Sequence, residues 1–328
     1  MIDSLPSMRK SFHLFALALF LLLLASPQAI PALGVQKSAQ AESKVTDFDA
    51  ARAYGHVKKM VEIGPRSPGS QGIKKAQAYI EGELKSYGLK VTGQEFVADT
   101  TRGKVPMKNI IAELPGQKTD VVILSGHYDS KLQTGFVGAN DGGSSTAAVL
   151  EMARVLASSK PEYTIWFVFF DGEEAFIGWE ENGGKDNTYG SRYMASRLTT
   201  DGSIKRVRAM ILVDMIGDSD LDLLKDEEST PWLVDVIWNT ARKIGYEKHF
   251  LNDAGAYSDD HIPFKEAGVP VIDLIDFNYG PDNAYWHTNK DTLDKISGES
   301  IKIVSDTVIR SLPDVFKRLN APKPGNGQ

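Results

Sequence analysis

The sequence predicts an α/β fold, a three-layer αβα sandwich around a mostly parallel central sheet. Three observations predict it. Short apolar runs alternate with longer segments whose apolar residues recur every three or four positions, the pattern of strands connected through helices. Several of the runs are polar on neither face, as a strand covered by helices on both sides must be. The 328 residues, 42% hydrophobic and 24% charged, make an ordinary globular composition that excludes disorder, collagen and coiled coil.

Taken in order, residues 47–62 read as a helix and 71–87 as a second, amphipathic one. Between them the turn-rich GPRSPGS (64–70) ends in small residues able to cap the helix that follows. The apolar runs at 110–114, 121–125, 164–170, 209–213 and 269–275 are the expected strands. Residues 144–156, 189–197, 232–244 and 299–319 are the helices between and after them. No repeat, low-complexity linker or charge block divides the chain after Val45, so 45–320 is expected to form a single domain with a frayed tail at 321–328.

The first forty residues stand apart. Arg9 and Lys10 precede the apolar run Leu14–Ala25, which has the length of a signal-peptide core and is short for a bilayer span. Ala39-Gln40-Ala41 offers a cleavage point and Ala29 an earlier one. A signal peptide over 1–41 is expected, with an uncleaved N-terminal anchor as the alternative. Either places the working domain outside the cytoplasm, in the periplasm or secreted, and removes His13 from consideration.

The absence of Cys excludes a disulfide scaffold, a Cys-ligated zinc and a thiol nucleophile. Any metal must be held by carboxylates and by the remaining His56, His127, His249, His261 and His287. A net charge of −6 gives no basic face for nucleic acid.

In open parallel sheets, ligands sit beyond the carboxyl ends of the strands. There VVILSG is followed by His127, Tyr128 and Asp129; FVGANDGGSS presents Asp141; TIWFVFF runs into Asp171, Glu173 and Glu174; AMILV runs into Asp214; and the loop after VIDLI ends in Trp286-His287. Each residue alone has a bland reading, Asp141 as a helix N-cap and the Glu pair as solvated. Together, several carboxylates and two His at one edge need a neutralising divalent cation. Without Cys that donor set points to catalytic zinc. Adjacent Glu side chains point in different directions, so one can bind metal while the other moves a proton.

The ordered motifs GHYDS, GANDGGSS, FFDGEEAF, LVDMIG and YWHT, with GPRSPGS upstream, resemble the zinc aminopeptidase superfamily, peptidase family M28. The resemblance runs from about Asp47 to Leu319. The extended DGEEAF, Trp179, DNTYGSRYMA, SDDHIPF and the Trp directly before the last His are more similar to its glutaminyl cyclase branch.

The resemblance implies a zinc-exopeptidase-like catalytic domain over 45–320. It makes Asp141, Glu174 and His287 the ligands of one zinc and Glu173 the proton shuttle. Asp214 and Asp259 become a hydrogen-bonded catalytic pair, while Trp179 and Trp286 wall the substrate pocket. It leaves a second zinc open, because in the dinuclear aminopeptidases the counterparts of His127 and Asp214 bind one. The implied reaction converts N-terminal Gln of peptides or proteins to pyroglutamate with release of ammonia, and the alternative is an exported two-zinc aminopeptidase. Neither nucleic acid nor a membrane, once the signal is cleaved, is an expected partner. Spacing does not separate Asp259 from Asp260. Trp166, Trp232 and Trp238 read as packing residues, His261 as structural, and His56 and His249 as surface or helix residues.

Overall fold

Alternation along single strands sets the layers. In β3 (Lys118–His127), Val122 and Leu124 enter one hydrophobic cluster, and Val121 and Ile123 enter another on the opposite face, as the two-residue period of a strand requires. β4 (Tyr163–Phe170) divides likewise, with Ile165, Phe167 and Phe169 on the first side and Val168 and Phe170 on the second. The first cluster is covered by α1 (Ala50–Ile63), α2 (Gln71–Ser86), α3 (Gly143–Leu156), α6 (Pro231–Lys243) and α8 (Gly298–Asn320). The second is covered by α5 (Tyr189–Thr200) and α7 (Ile262–Glu266). α4 (Glu181–Gly184) is one kinked turn in the loop after β4.

β5 (Val207–Asp214) and β8 (Val271–Ile275) complete a parallel array in the order β4-β3-β5-β8. A long antiparallel hairpin of β1 (Lys90–Thr100) and β2 (Gly103–Leu114) extends it at the β4 edge. The sheet is thus mostly parallel and covered on both faces, the expected αβα sandwich. β6 (Leu223–Asp226) and β7 (Phe250–Gly255) pair as a separate ribbon.

This computed structural model describes residues 47–321; the expected leader over 1–41 and the tail from 322 onward lie outside the described residues. Those described belong to one compact unit, and none of their helices is long and apolar enough to cross a membrane.

Several boundaries differ from expectation for local reasons. The first helix starts at Ala50, not Asp47, because the Asp49 carboxylate caps it by accepting from the Ala51 and Arg52 amides. Ser70, the last residue of GPRSPGS, caps α2 through the Ile73 amide. β2 reaches back to Gly103 because β1 pairs with its whole length. His56 is a buried residue of α1, with its Nδ1 2.6 Å from the Tyr79 hydroxyl, and so is not on the surface.

Candidate active site

Strand register brings the site together. His127 ends β3 opposite Phe170, whose strand leads into Glu173-Glu174, while Asp214 ends β5 opposite Ile275, the residue before the loop that carries Trp286 and His287. Asp141 lies between β3 and α3. It does not cap the helix: Gly142 holds that position, with φ of 75° and no side-chain cap bond. A Cβ on Gly142 would fall 2.2 Å from the Asp129 carbonyl oxygen and 3.1 Å from the His127 ring, so only glycine lets the helix start this close.

Asp141 is thereby free to face two imidazoles. Its Oδ1 is 3.3 Å from His127 Nε2 and its Oδ2 is 3.3 Å from His287 Nε2. Glu174 Oε2 lies 3.1 Å from the same His287 nitrogen. His127 Nε2 is also 3.1 Å from Asp214 Oδ1. Glu173 points elsewhere, with its Oε2 3.9 Å from His127 Nδ1. The two adjacent glutamates therefore address different parts of the site.

The backbone is held by carboxylates outside the expected set. Asp129 accepts from the Glu173 and Glu174 amides. Asp291 accepts from the Asn140 and Asp141 amides at 2.7 and 3.1 Å and from the Tyr279 hydroxyl. Asp129 sits inside GHYDS, where the motif offered a signal, but Asp291 follows a polar loop with nothing to distinguish it. Two site residues hold left-handed backbone, Met215 (φ 50°) just after Asp214 and His287 (φ 53°), a conformation that non-glycine residues adopt at a cost.

Charge is concentrated here. Burial opposes the His127 imidazolium, yet Asp214, Asp129 and Asp141 outweigh it and hold its pKa well above the ordinary value. Burial likewise opposes a charged His287, but Glu174 and Asp141 raise it to about 9. Burial would raise Asp141, and the His127 and His287 imidazoles beside it instead hold it far below the usual range. Glu173 is pushed well up, first by burial and then by Asp259 and Glu174, with His127 opposing.

The donor set fits zinc. One ligand atom each from Asp141, Glu174 and His287 lie within 4.8 Å of one another, and the same holds for His127, Asp141 and Asp214. Tetrahedral ligands roughly 2.0–2.2 Å from zinc stand ~3.3–3.6 Å apart, close to the separations of His287 from Asp141 and Glu174. Asp141 Oδ2 and Glu174 Oε1 are buried without a hydrogen-bond partner, as metal ligands would be in the free chain.

Beside these residues lies a cavity of about 680 Å³. Asp141, Glu173, Glu174, Asp214, Asp259 and His287 border it, together with Trp179 and Trp286, so the structure collects every expected residue except His127 at its surface. His127 sits behind, 1% exposed. Lys131, Tyr257 and Phe277 also line the cavity, and sequence reasoning had not singled them out. Lys131 Nζ is 3.4 Å from Glu174 Oε2. Trp179 is held through its carbonyl, which accepts from Asn187 Nδ2.

The expected hydrogen bond between Asp214 and Asp259 is not formed. Asp214 Oδ1 is taken by His127 and the Met215 amide, whereas Asp259 accepts from the Asp260 amide and keeps a buried Oδ2 with no partner. Burial followed by Asp214 pushes the Asp259 carboxyl well up, so a proton for the pair is not what is lacking; Asp214 is turned to His127 and the Met215 amide instead. His261 and Asp260 are fully buried behind this layer. His261 Nε2 lies 3.3 Å from Asp226 Oδ2. Trp238 packs edge-on against Phe250, and Trp166 and Trp232 pack against the clusters.

The sequence profile of Peptidase family M28 matches residues 109–312, well over half the chain. The crystal structure of a glutaminyl cyclase from an Acidobacteriales bacterium is 38% identical with a TM-score of 0.80, covering 86% of this chain and 99% of that one. A glutaminyl-peptide cyclotransferase of Bos taurus is 29% identical over 305 residues, 75% of this chain and 78% of the relative. A Zn-dependent exopeptidase of Parabacteroides distasonis is 30% identical with a TM-score of 0.75, covering 82% and 99% of the two chains. By its profile, its fold and the relatives it matches, the chain belongs to peptidase family M28, in the branch of the glutaminyl cyclases.

Proposed function

We propose that the protein is a zinc-dependent glutaminyl-peptide cyclotransferase that forms N-terminal pyroglutamate from N-terminal Gln of peptides and proteins and releases ammonia. One observation carries the reading: Glu173, a buried carboxyl outside the Asp141–Glu174–His287 ligand set, borders the same cavity as Trp179 and Trp286. Asp141, Glu174 and His287 hold one zinc in this proposal. When bound, zinc supplies Lewis acidity toward the γ-amide carbonyl.

The chain's own residues do the rest. Trp179 and Trp286 enclose the substrate side chain and fold it toward its own α-amine, a proximity contribution. The α-nitrogen forms a bond to the γ-amide carbon and the bond from that carbon to the amide nitrogen breaks. Glu173 takes a proton from the amine and returns one to the departing ammonia. Its raised proton affinity suits a group that must carry the proton between the two steps. Asp259, similarly raised, is the second acid bordering the cavity near the leaving group, while Asp214 is held by His127.

The second reading is a dinuclear aminopeptidase, and the His127, Asp141 and Asp214 grouping favours it. Ammonia release from Gln-peptides, run beside Leu- and Lys-peptides with metal content measured on the same sample, separates the two. Unchanged Gln-peptides with free amino acids from the others, and two zinc ions per chain, overturn the cyclase. The proposal includes a single catalytic domain over 45–320 and export, to the periplasm or medium, by a signal peptide at 1–41.

A further inference from the structure

GPRSPGS has no part in the reaction above, yet it places the most deeply buried cation of the described residues. Arg66 is 0% exposed, and among the described residues no carboxylate lies within ion-pair distance of it. Its guanidinium donates only to backbone carbonyls. Nε reaches Tyr128 O at 3.1 Å, Nη1 reaches Met60 O at 3.3 Å and also Val137 O, and Nη2 reaches Gly138 O at 2.9 Å. Its own amide donates to Ser130 Oγ at 2.9 Å.

Burying a guanidinium without a paired anion is unfavourable, a cost that an apolar residue of similar volume would avoid. What the arginine gives in return is a planar fork of five donors in fixed directions. That fork joins three segments: the end of α1, the turn after β3, and residues 137–138, three positions before Asp141. Asp291 grips the other side of the same loop through the Asn140 and Asp141 amides. Between the grips, Gly138 has φ of 52°, and a Cβ on it would fall 2.4 Å from the Asp141 carbonyl oxygen and 3.2 Å from Arg66 Nη2. Only Ala139 separates the residues held by Arg66 from those held by Asp291, so the approach to Asp141 is fixed from both sides.

We propose that Arg66 is a positioning residue for the metal site, fixing the 137–141 loop so that Asp141 meets its partner ligands. The inference rests on Asp141 being a zinc ligand, as proposed above. It assigns to GPRSPGS the task of locking GHYDS and GANDGGSS together.

The test uses the full-length protein and zinc itself, with affinity read by competition against a chromophoric chelator. R66K keeps the charge but replaces the fork with a single point donor, and G138A strains the same contact from the loop side. L84A, in the core of α2, serves as a control that loses stability without touching the loop. Both site variants should weaken zinc about 10- to 100-fold, as loss of a supporting partner typically does, and should alter the visible absorption of the cobalt-loaded protein. L84A should do neither at an equal loss of Tm. R66K and G138A binding zinc within twofold of the parent, or L84A weakening it as much, overturns the proposal. If R66K does not fold, R66M, which fills the volume with neither charge nor donors, decides in its place: zinc weakened about 10- to 100-fold supports the proposal, and zinc bound within twofold of the parent overturns it. A parent that binds no zinc defeats the ligand assignment itself.

Discussion

The Trp286 indole lies stacked on the His287 imidazole, with ring centroids 3.9 Å apart and planes inclined by 21°. Its neighbour Phe277 stands 4.8 Å away, so the indole is both a wall of the cavity and a brace for an imidazole whose backbone is held left-handed. Aromatic pairs contribute about 0.5–1.5 kcal/mol beyond area burial. Trp286→Ala should therefore weaken zinc by roughly two- to tenfold as well as raising KM, and Trp286→Phe should recover most of the zinc loss. Zinc affinity unchanged in Trp286→Ala would leave the indole as a wall only.

Glu173→Gln removes the proposed proton carrier and leaves the proposed ligand set untouched. Turnover should fall by about 10²–10⁴-fold, the usual contribution of general acid–base catalysis, with zinc content and Tm close to the parent. Glu174→Gln, by contrast, should lose metal. If the two substitutions behave alike, the division of labour between the adjacent glutamates is wrong.

How much of this was legible depends on what burial does to sequence. β3, β4, β5 and β8 are buried on both faces and stand out as apolar runs, and the His, Asp and Glu residues that follow them mark the sheet's reactive edge. β1 was hidden because it is an edge strand, largely exposed from Lys90 to Val97, and its polar residues look like a loop. β6 and β7 are short and rest on pairing with each other. Residues proposed to bear on substrate or metal were visible through motif order. Those that hold backbone, Asp291 and Arg66 above all, act on amides and carbonyls that leave no trace in side-chain pattern. Asp259 and Asp260 separate only in three dimensions: Asp259 borders the cavity and Asp260 is sealed behind it.

Chelation should lower both activity and stability. In the metal-free chain, Asp141, Glu174 and Asp214 stay buried together, offset by His127, His287 and, at Glu174, Lys131. A ligand at 100 times its Kd stabilises the folded state by about 2.7 kcal/mol, so a Tm drop of several degrees, reversed by zinc, is expected in differential scanning. His287→Ala should abolish the effect. His127→Ala should keep it if one zinc is bound, and should halve the metal content if there are two.

Away from the ligands, Asp276 should make stability fall with rising pH. Burial first, and then nearby Asp222 and Asp218, push its carboxyl from the ordinary 3.8 to about 8, although the Asp222 and Asn278 amides donate to it. The folded chain thus keeps a proton that the unfolded chain has lost, and wherever the unfolded state binds fewer protons stability declines with pH. The contribution is complete below about pH 4, drains away between pH 4 and 8, and is flat beyond. Asp276→Asn is neutral throughout and loses one acceptor, at a cost of about 1 kcal/mol that is independent of pH. By pH 5 the parent has already lost an amount of the order of that cost, so urea unfolding with zinc in excess should show the variant about level with the parent or slightly ahead at pH 5 and clearly more stable at pH 8. A parent that gains on the variant as pH rises would mean that Asp276 is ionised in the folded chain and that its two amide donors outweigh burial.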